Sequence, residues 1–226
     1  MKIAIVEDRA KRLQQFQSFD IWNEPSIVVI TGQSFQDLVD NLEANNLTVL
    51  YNYDVVAVHR SAMSEKIRDA IKNYCAKTRK PLVFFSGGIT SSYYKETGFS
   101  FLLMNSKEFY SDHLKIFIDH VNESGKPNLL MLQFGANWKI SMLLSLRNRI
   151  AVSLSKEELK ATGVRDIGIS GLIRWIGNLE LSESIISDLE TETTKVILKR
   201  KADASVSLAE LEQIKNAIEQ QLRMML

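Results

Sequence analysis

The chain has 226 residues, enough for one large domain or for a domain plus a substantial extension. Apolar residues make up 45%, which suffices for a packed core, and charged residues make up 24%. With 28 Lys and Arg against 27 Asp and Glu the net charge is +1, so the totals carry no strong electrostatic footprint for nucleic acid.

The opening, Met1-Lys2-Ile3-Ala4-Ile5-Val6-Glu7-Asp8, has too short an apolar run for a signal peptide and turns acidic at once. Ile3–Val6 reads as a buried strand. Residues 9–19 read as a helix, with Leu13 and Phe16 at i, i+3. Ile27–Ile30 is a second strand, stopped by Thr31-Gly32. Ser34 is a candidate cap for a helix over 35–42, whose Phe35, Leu38, Val39 and Leu42 share one face. Residues 55–58 form a β-branched strand. Residues 65–77 are helical and carry Cys75, the one cysteine, which reads as a small buried apolar side chain. A single cysteine permits no intramolecular disulfide and no cysteine metal cluster, which favours a reducing compartment. Residues 81–85 are a strand ending in Ser86-Gly87-Gly88. Residues 101–104 are the last clear strand, and Ser106 is a candidate cap for a helix reaching about residue 121.

Strand–helix alternation with unbroken apolar strands means a parallel sheet covered on both faces. The expected fold is therefore α/β: a doubly wound, parallel, five-stranded sheet followed by a mostly α-helical C-terminal region. Gly125-Lys126-Pro127-Asn128 marks the boundary, giving domains 1–124 and 125–226. Ligands of such sheets sit outside the carboxyl ends of the strands. That rule directs attention to Glu7, Asp8, His59, Ser86 and residues 105–107.

Beyond the boundary, residues 129–134 read as a short strand or a helix start. Residues 139–154 are apolar at helical spacing, and Ser155 opens a capping-box pattern for a new helix. Residues 169–176 and 182–199 read as helices, and 207–226 as an amphipathic one with Leu208, Leu211, Ile214, Ile218 and Leu222 in its stripe. A helical bundle is the favoured reading, with Trp138, Leu146, Ile150, Leu172, Trp175, Ile185 and Leu189 in its core. Residues 155–178 also resemble a helix-turn-helix around Gly163. In that case Arg165 and Arg174 are the candidate DNA contacts, although no basic stripe supports them.

Residues 1–124 resemble the receiver domain of two-component response regulators. The opening strand ends in the acidic pair Glu7-Asp8, which in that family binds magnesium. Tyr53-Asp54-Val55-Val56-Ala57-Val58-His59-Arg60-Ser61 is similar to the third strand, with His59 where the phospho-acceptor aspartate belongs. Ser86 matches the Ser/Thr ending the fourth strand. Lys107 stands near the family's lysine, displaced by two residues and without the following proline. If the third strand is 48–53 instead, Asp54 becomes the acceptor; the run at 55–58 is the better buried strand, which favours His59.

An imidazole cannot form an aspartyl phosphate, and it suits borderline metals better than magnesium. The expectation is a regulator or adaptor in signal transduction, not an enzyme. Its pseudo-receiver domain acts through protein partners, with homodimerisation as the default assembly. Magnesium at Glu7 and Asp8 is the one cofactor entertained. The alternative is a phosphorylation-competent response regulator with DNA-binding output. A hydrolase reading of Ser86 and His59 lacks a nucleophile-elbow pattern. No run approaches the ~20 apolar residues of a membrane span, and the expected location is the cytoplasm.

Overall fold

A computed structural model describes residues 1–14, 20–90, 93–95, 101–160 and 208–226. The chain divides into two compact units, Met1–Ala136 and Asn137–Leu226.

In the first unit the parallel strands are β1 (Ile3–Val6), β2 (Ile27–Ile30), β3 (Val55–His59), β4 (Leu82–Ser86) and β6 (Phe101–Asn105). A short β5 (Tyr93–Lys95) runs antiparallel to β6 along the sheet's edge. The order is β2-β1-β3-β4-β6-β5. The five parallel strands, β2-β1-β3-β4-β6, with covering helices make a flavodoxin-like, doubly wound α/β fold, as the alternation in the sequence predicts.

The register sets the carboxyl edge. Val6 lies opposite both Ile30 and Val58, His59 opposite Phe85, and Ser86 opposite Asn105. Glu7 and Asp8 therefore leave β1 level with the last residue of β3. Side chains alternate along each strand. Ala4, Val6, Val56, Val58, Leu82 and Phe84 pack with Leu38, Leu42, Ile67 and Ile71 on one face. His59 and Phe85 fall on the other.

The helices are α1 (Ala10–Gln14), α2 (Gln33–Glu43), α3 (Glu65–Thr78), α4 (Ser106–Phe109), α5 (Asp112–Ser124) and α6 (Leu129–Phe134). In α3 Ile67, Ile71, Tyr74 and Cys75 recur at helical spacing and are buried. The Ser64 hydroxyl accepts from the Ile67 N–H at its start, and Arg79 closes it at φ 55°. Burial pushes the Cys75 thiol up to about 12, which leaves it an inert core group.

Two capping expectations are corrected, and the alternative third strand at 48–53 is ruled out in favour of the expected one. Ser34 lies inside α2, where its hydroxyl bonds to the Thr31 carbonyl, and Gly32 holds the cap position at φ 56°. The helix expected from Ser106 onward is two helices. Asn105 caps α4 and Ser111 caps α5, because each side chain accepts from a backbone N–H two residues on. Residues 47–50 form a short 3-10 turn, not a strand.

In the second unit α7 (Trp138–Lys160) packs against the C-terminal helix Leu208–Met225. Trp138, Met142, Leu143, Ile150, Ile218 and Leu222 are buried. Ser155 lies within α7 and does not start a new helix. The expected helices at 169–176 and 182–199 fall outside the described residues. Among the described residues no helix is long and apolar enough to cross a membrane.

At the amino end of the sheet Lys80 joins the β3 and β4 approaches. Its Nζ donates to the carbonyls of Leu50, Tyr51 and Tyr53 at 3.0, 2.9 and 2.6 Å. Lys80→Met keeps the stem and leaves those carbonyls without their donor. Urea unfolding should show a loss of about 1–2 kcal/mol.

Candidate functional site

The carboxyl edge gathers a compact ionic cluster. Glu7 is fully buried and His59 is 2% exposed. Asp8 and Arg12 open to solvent, with 27% and 31% of their side chains exposed. Glu7 and Asp8 follow directly on β1, and β3 ends in His59. The first turn of α1 returns Arg12 over the strand end, four residues beyond Asp8.

Every oxygen of Glu7 is committed. Oε1 accepts from the Arg9 backbone N–H at 3.1 Å and from Arg12 Nη1 at 3.0 Å. Oε2 accepts from the Tyr110 hydroxyl at 3.2 Å. Asp8 Oδ1 lies 3.0 Å from His59 Nδ1 and 3.5 Å from Arg12 Nη1, while Arg9 Nε lies 3.4 Å from Oδ2.

Burial raises Glu7 to about 7, helped by the hydrogen bond it shares with Asp8 and opposed by Arg12. Burial also works against ionised Asp8, but the Glu7 hydrogen bond and the charge and hydrogen bond from His59 outweigh it and hold Asp8 low. Burial lowers His59, and the Arg12 charge lowers it further against the pull of Asp8. The phenol of Tyr110 is pushed far up by burial and by Glu7, so it stays a donor.

These directions assign the tautomer. A neutral His59 facing an ionised Asp8 carries its proton on Nδ1 and donates it there. Nε2 then accepts from the Ser61 hydroxyl, 3.3 Å away. Arg12 Nη1 lies 2.9 Å from Nδ1 and 2.8 Å from Nε2. One nitrogen equally near both ring nitrogens cannot lie in the ring plane, because it would then overlap the carbon between them. The guanidinium therefore sits over the imidazole face, a cation–π geometry.

Aromatic rings wall the cluster. His59 and Phe85 centroids are 5.5 Å apart. Phe85 stacks on Phe109 at 4.1 Å, and Tyr110 meets both edge-on at 5.4 and 5.0 Å. The Tyr110 hydroxyl then returns to Glu7, closing a ring of contacts.

Of the residues singled out in the sequence, Glu7, Asp8 and His59 come together. Ser86 ends β4, and its hydroxyl accepts from the Gly88 N–H at 3.4 Å. Lys107 is exposed in α4, and among the described residues no hydrogen bond or ion pair ties its side chain to the cluster. Asp54 precedes β3 at the opposite end of the sheet, where it accepts from the Lys2 N–H at 2.7 Å. Arg165 and Arg174 lie outside the described residues. The sequence reading missed Arg12, Tyr110 and Ser61.

Glu7, Asp8 and His59 each offer a ligand atom, all within 4.8 Å of one another. The set does not suit magnesium, which wants several oxygens and its own waters. One donor is an imidazole, both Glu7 oxygens already accept hydrogen bonds, and a guanidinium nitrogen lies among the three.

A carboxylate raised by burial favours folding below its ordinary value of 4.5 and loses that contribution as pH rises through about 7. The charged and polar groups around it are Asp8, Arg9, Arg12, His59 and Tyr110. Glu7→Gln removes this titration. The variant's unfolding midpoint should shift in its favour relative to the native chain between about pH 5 and about pH 8, as thermal scans would record.

Comparison with protein-family models, with curated proteins and with solved structures finds no match to this chain, so the site is read from its own geometry.

Proposed function

We propose that the chain is a signal-transduction regulator or adaptor whose receiver-like N-terminal unit acts through protein contacts without aspartyl phosphorylation. One observation carries the reading: the last residue of β3, facing the acidic pair, is His59. A receiver needs a carboxylate there to take a phosphoryl group and to complete a magnesium site. A buried neutral imidazole does neither.

Two further features support the same reading. Both carboxylates already have cationic partners in Arg9 and Arg12, and Lys107 stands apart from the cluster. The site is then a structural core for the carboxyl edge, and regulation passes through surfaces, not through chemistry. Self-association through the helical C-terminal region belongs to this reading; Val152, Met224, Met225 and Leu226 are exposed there. A cytoplasmic setting suits a protein with a single, buried cysteine.

Acetyl phosphate or beryllofluoride with magnesium should leave the intact mass and the backbone NMR spectrum of the full chain unchanged. A stoichiometric adduct on Asp8, His59 or Asp54 would overturn the proposal.

A further inference from the structure

We infer that the pocket between α3 and strands β4 and β6 binds a small aromatic monocarboxylate. The site lies on the sheet face opposite His59 and Phe85, and the inference is independent of the signalling role.

Strand pairing builds the floor. Phe84 lies opposite Leu103 in the register of β4 and β6, and Phe101 stands two residues before Leu103, so the three side chains share one face. All three belong to the core packed under α2 and α3. Phe84 and Phe101 meet edge-on at 5.4 Å. In a doubly wound sheet a parallel crossover ordinarily lays a helix over its strands. Among the described residues the connection from β4 to β6 contributes the edge strand β5 and no helix. A pocket of about 130 Å³ opens beside α3 on this face.

The rim is charged. Glu65, Arg68, Asp69 and Lys72 recur at i, i+3, i+4 and i+7, so one stripe of α3 lines the pocket, and Arg60 joins from the turn after β3. Three cations against two carboxylates leave one positive charge in excess. Lys72 Nζ is paired with Asp69 Oδ1 at 2.6 Å. Arg68 donates Nη1 to the carbonyls of Arg60 and Met63 at 3.2 and 2.7 Å, which fixes its guanidinium without cancelling the charge. Among the described residues no ion pair engages the side chain of Arg60 or Arg68. The excess therefore resides on these two guanidinium groups, opposed by Glu65.

Charge, shape and size together select the ligand. A single excess charge suits a monoanion better than a phosphate dianion. A guanidinium presents parallel N–H donors that fit a carboxylate bidentately. The aromatic floor accepts an apolar ring, which extends the edge-to-face pair below it. A cavity of about 150 Å³ lined by apolar side chains holds benzene, and the volume here is of that order. One ring then fills the pocket and its carboxylate meets the rim.

Benzoate titration of the full chain, followed by calorimetry and by the methyl NMR signals of Leu103, tests this. The native chain should saturate at one benzoate per chain. Benzamide, which lacks the charge, and acetate, which lacks the ring, should each bind at least ~10-fold more weakly. Inorganic phosphate in excess should not displace benzoate. Arg60→Gln, at an exposed side chain, should weaken binding at least ~10-fold. Glu65→Gln removes the opposing charge and should tighten binding several-fold. A purely structural role for the two side chains does not produce effects of opposite sign. No saturation at tens of millimolar benzoate would overturn the inference. So would equal binding of benzamide, displacement by phosphate, or changes in the same direction from Arg60→Gln and Glu65→Gln. An acceptor adduct in the acetyl phosphate experiment would refute the signalling proposal and leave this result untouched.

Discussion

The carboxyl edge of this sheet is organised by one requirement: both oxygens of a fully buried glutamate must find hydrogen-bond partners. Removing a polar group from water costs about 1–3 kcal/mol unless partners replace the lost hydration. Glu7 finds them in two different parts of the chain. A backbone N–H and the Arg12 side chain come from the following turn, and a phenol comes from the junction of α4 and α5. Deleting one such partner leaves a buried oxygen unsatisfied, which typically costs about 1–3 kcal/mol. Arg12 of α1 and Tyr110 of the aromatic wall both converge on that group.

The parallel sheet was legible because its strands are uninterrupted apolar runs, a pattern that only two-sided burial explains. Ile3–Val6, Ile27–Ile30 and the run at 55–58 could be read directly, as could the stripe of α3. Misreadings came from capping. Ser34 and Ser106 have the right chemistry for caps, but Gly32 and Asn105 precede them and take the positions. A short side chain qualifies as a cap by its backbone angles, and the sequence does not display those. β5 gave no signal, since three residues on an edge carry too little pattern.

The site was half legible. Glu7, Asp8 and His59 are found by asking which polar residues end buried strands. Arg12 had a local signal that could have been used, since it stands one helical turn beyond Asp8 on the same face. Tyr110 had none: it meets Glu7 across 103 positions, and only the closed sheet makes them neighbours. Lys107 shows the converse error. A residue of the right type near the right strand end is displaced by the turn of α4 into solvent, because two residues on a helix rotate a side chain far around the axis.

The link between Tyr110 and Glu7 also bears on the order in which the chain assembles. Asp8 and Arg12 can meet as soon as one turn of helix forms, with almost no loop to close. The phenol reaches the carboxylate only after β1, β3, β4 and β6 have aligned, and contacts of such long sequence separation are entropically late. Up to that moment the carboxylate remains hydrated. Losing the Tyr110 hydroxyl should accordingly hasten unfolding while scarcely altering the refolding rate, the kinetic behaviour of a bond made after the transition state.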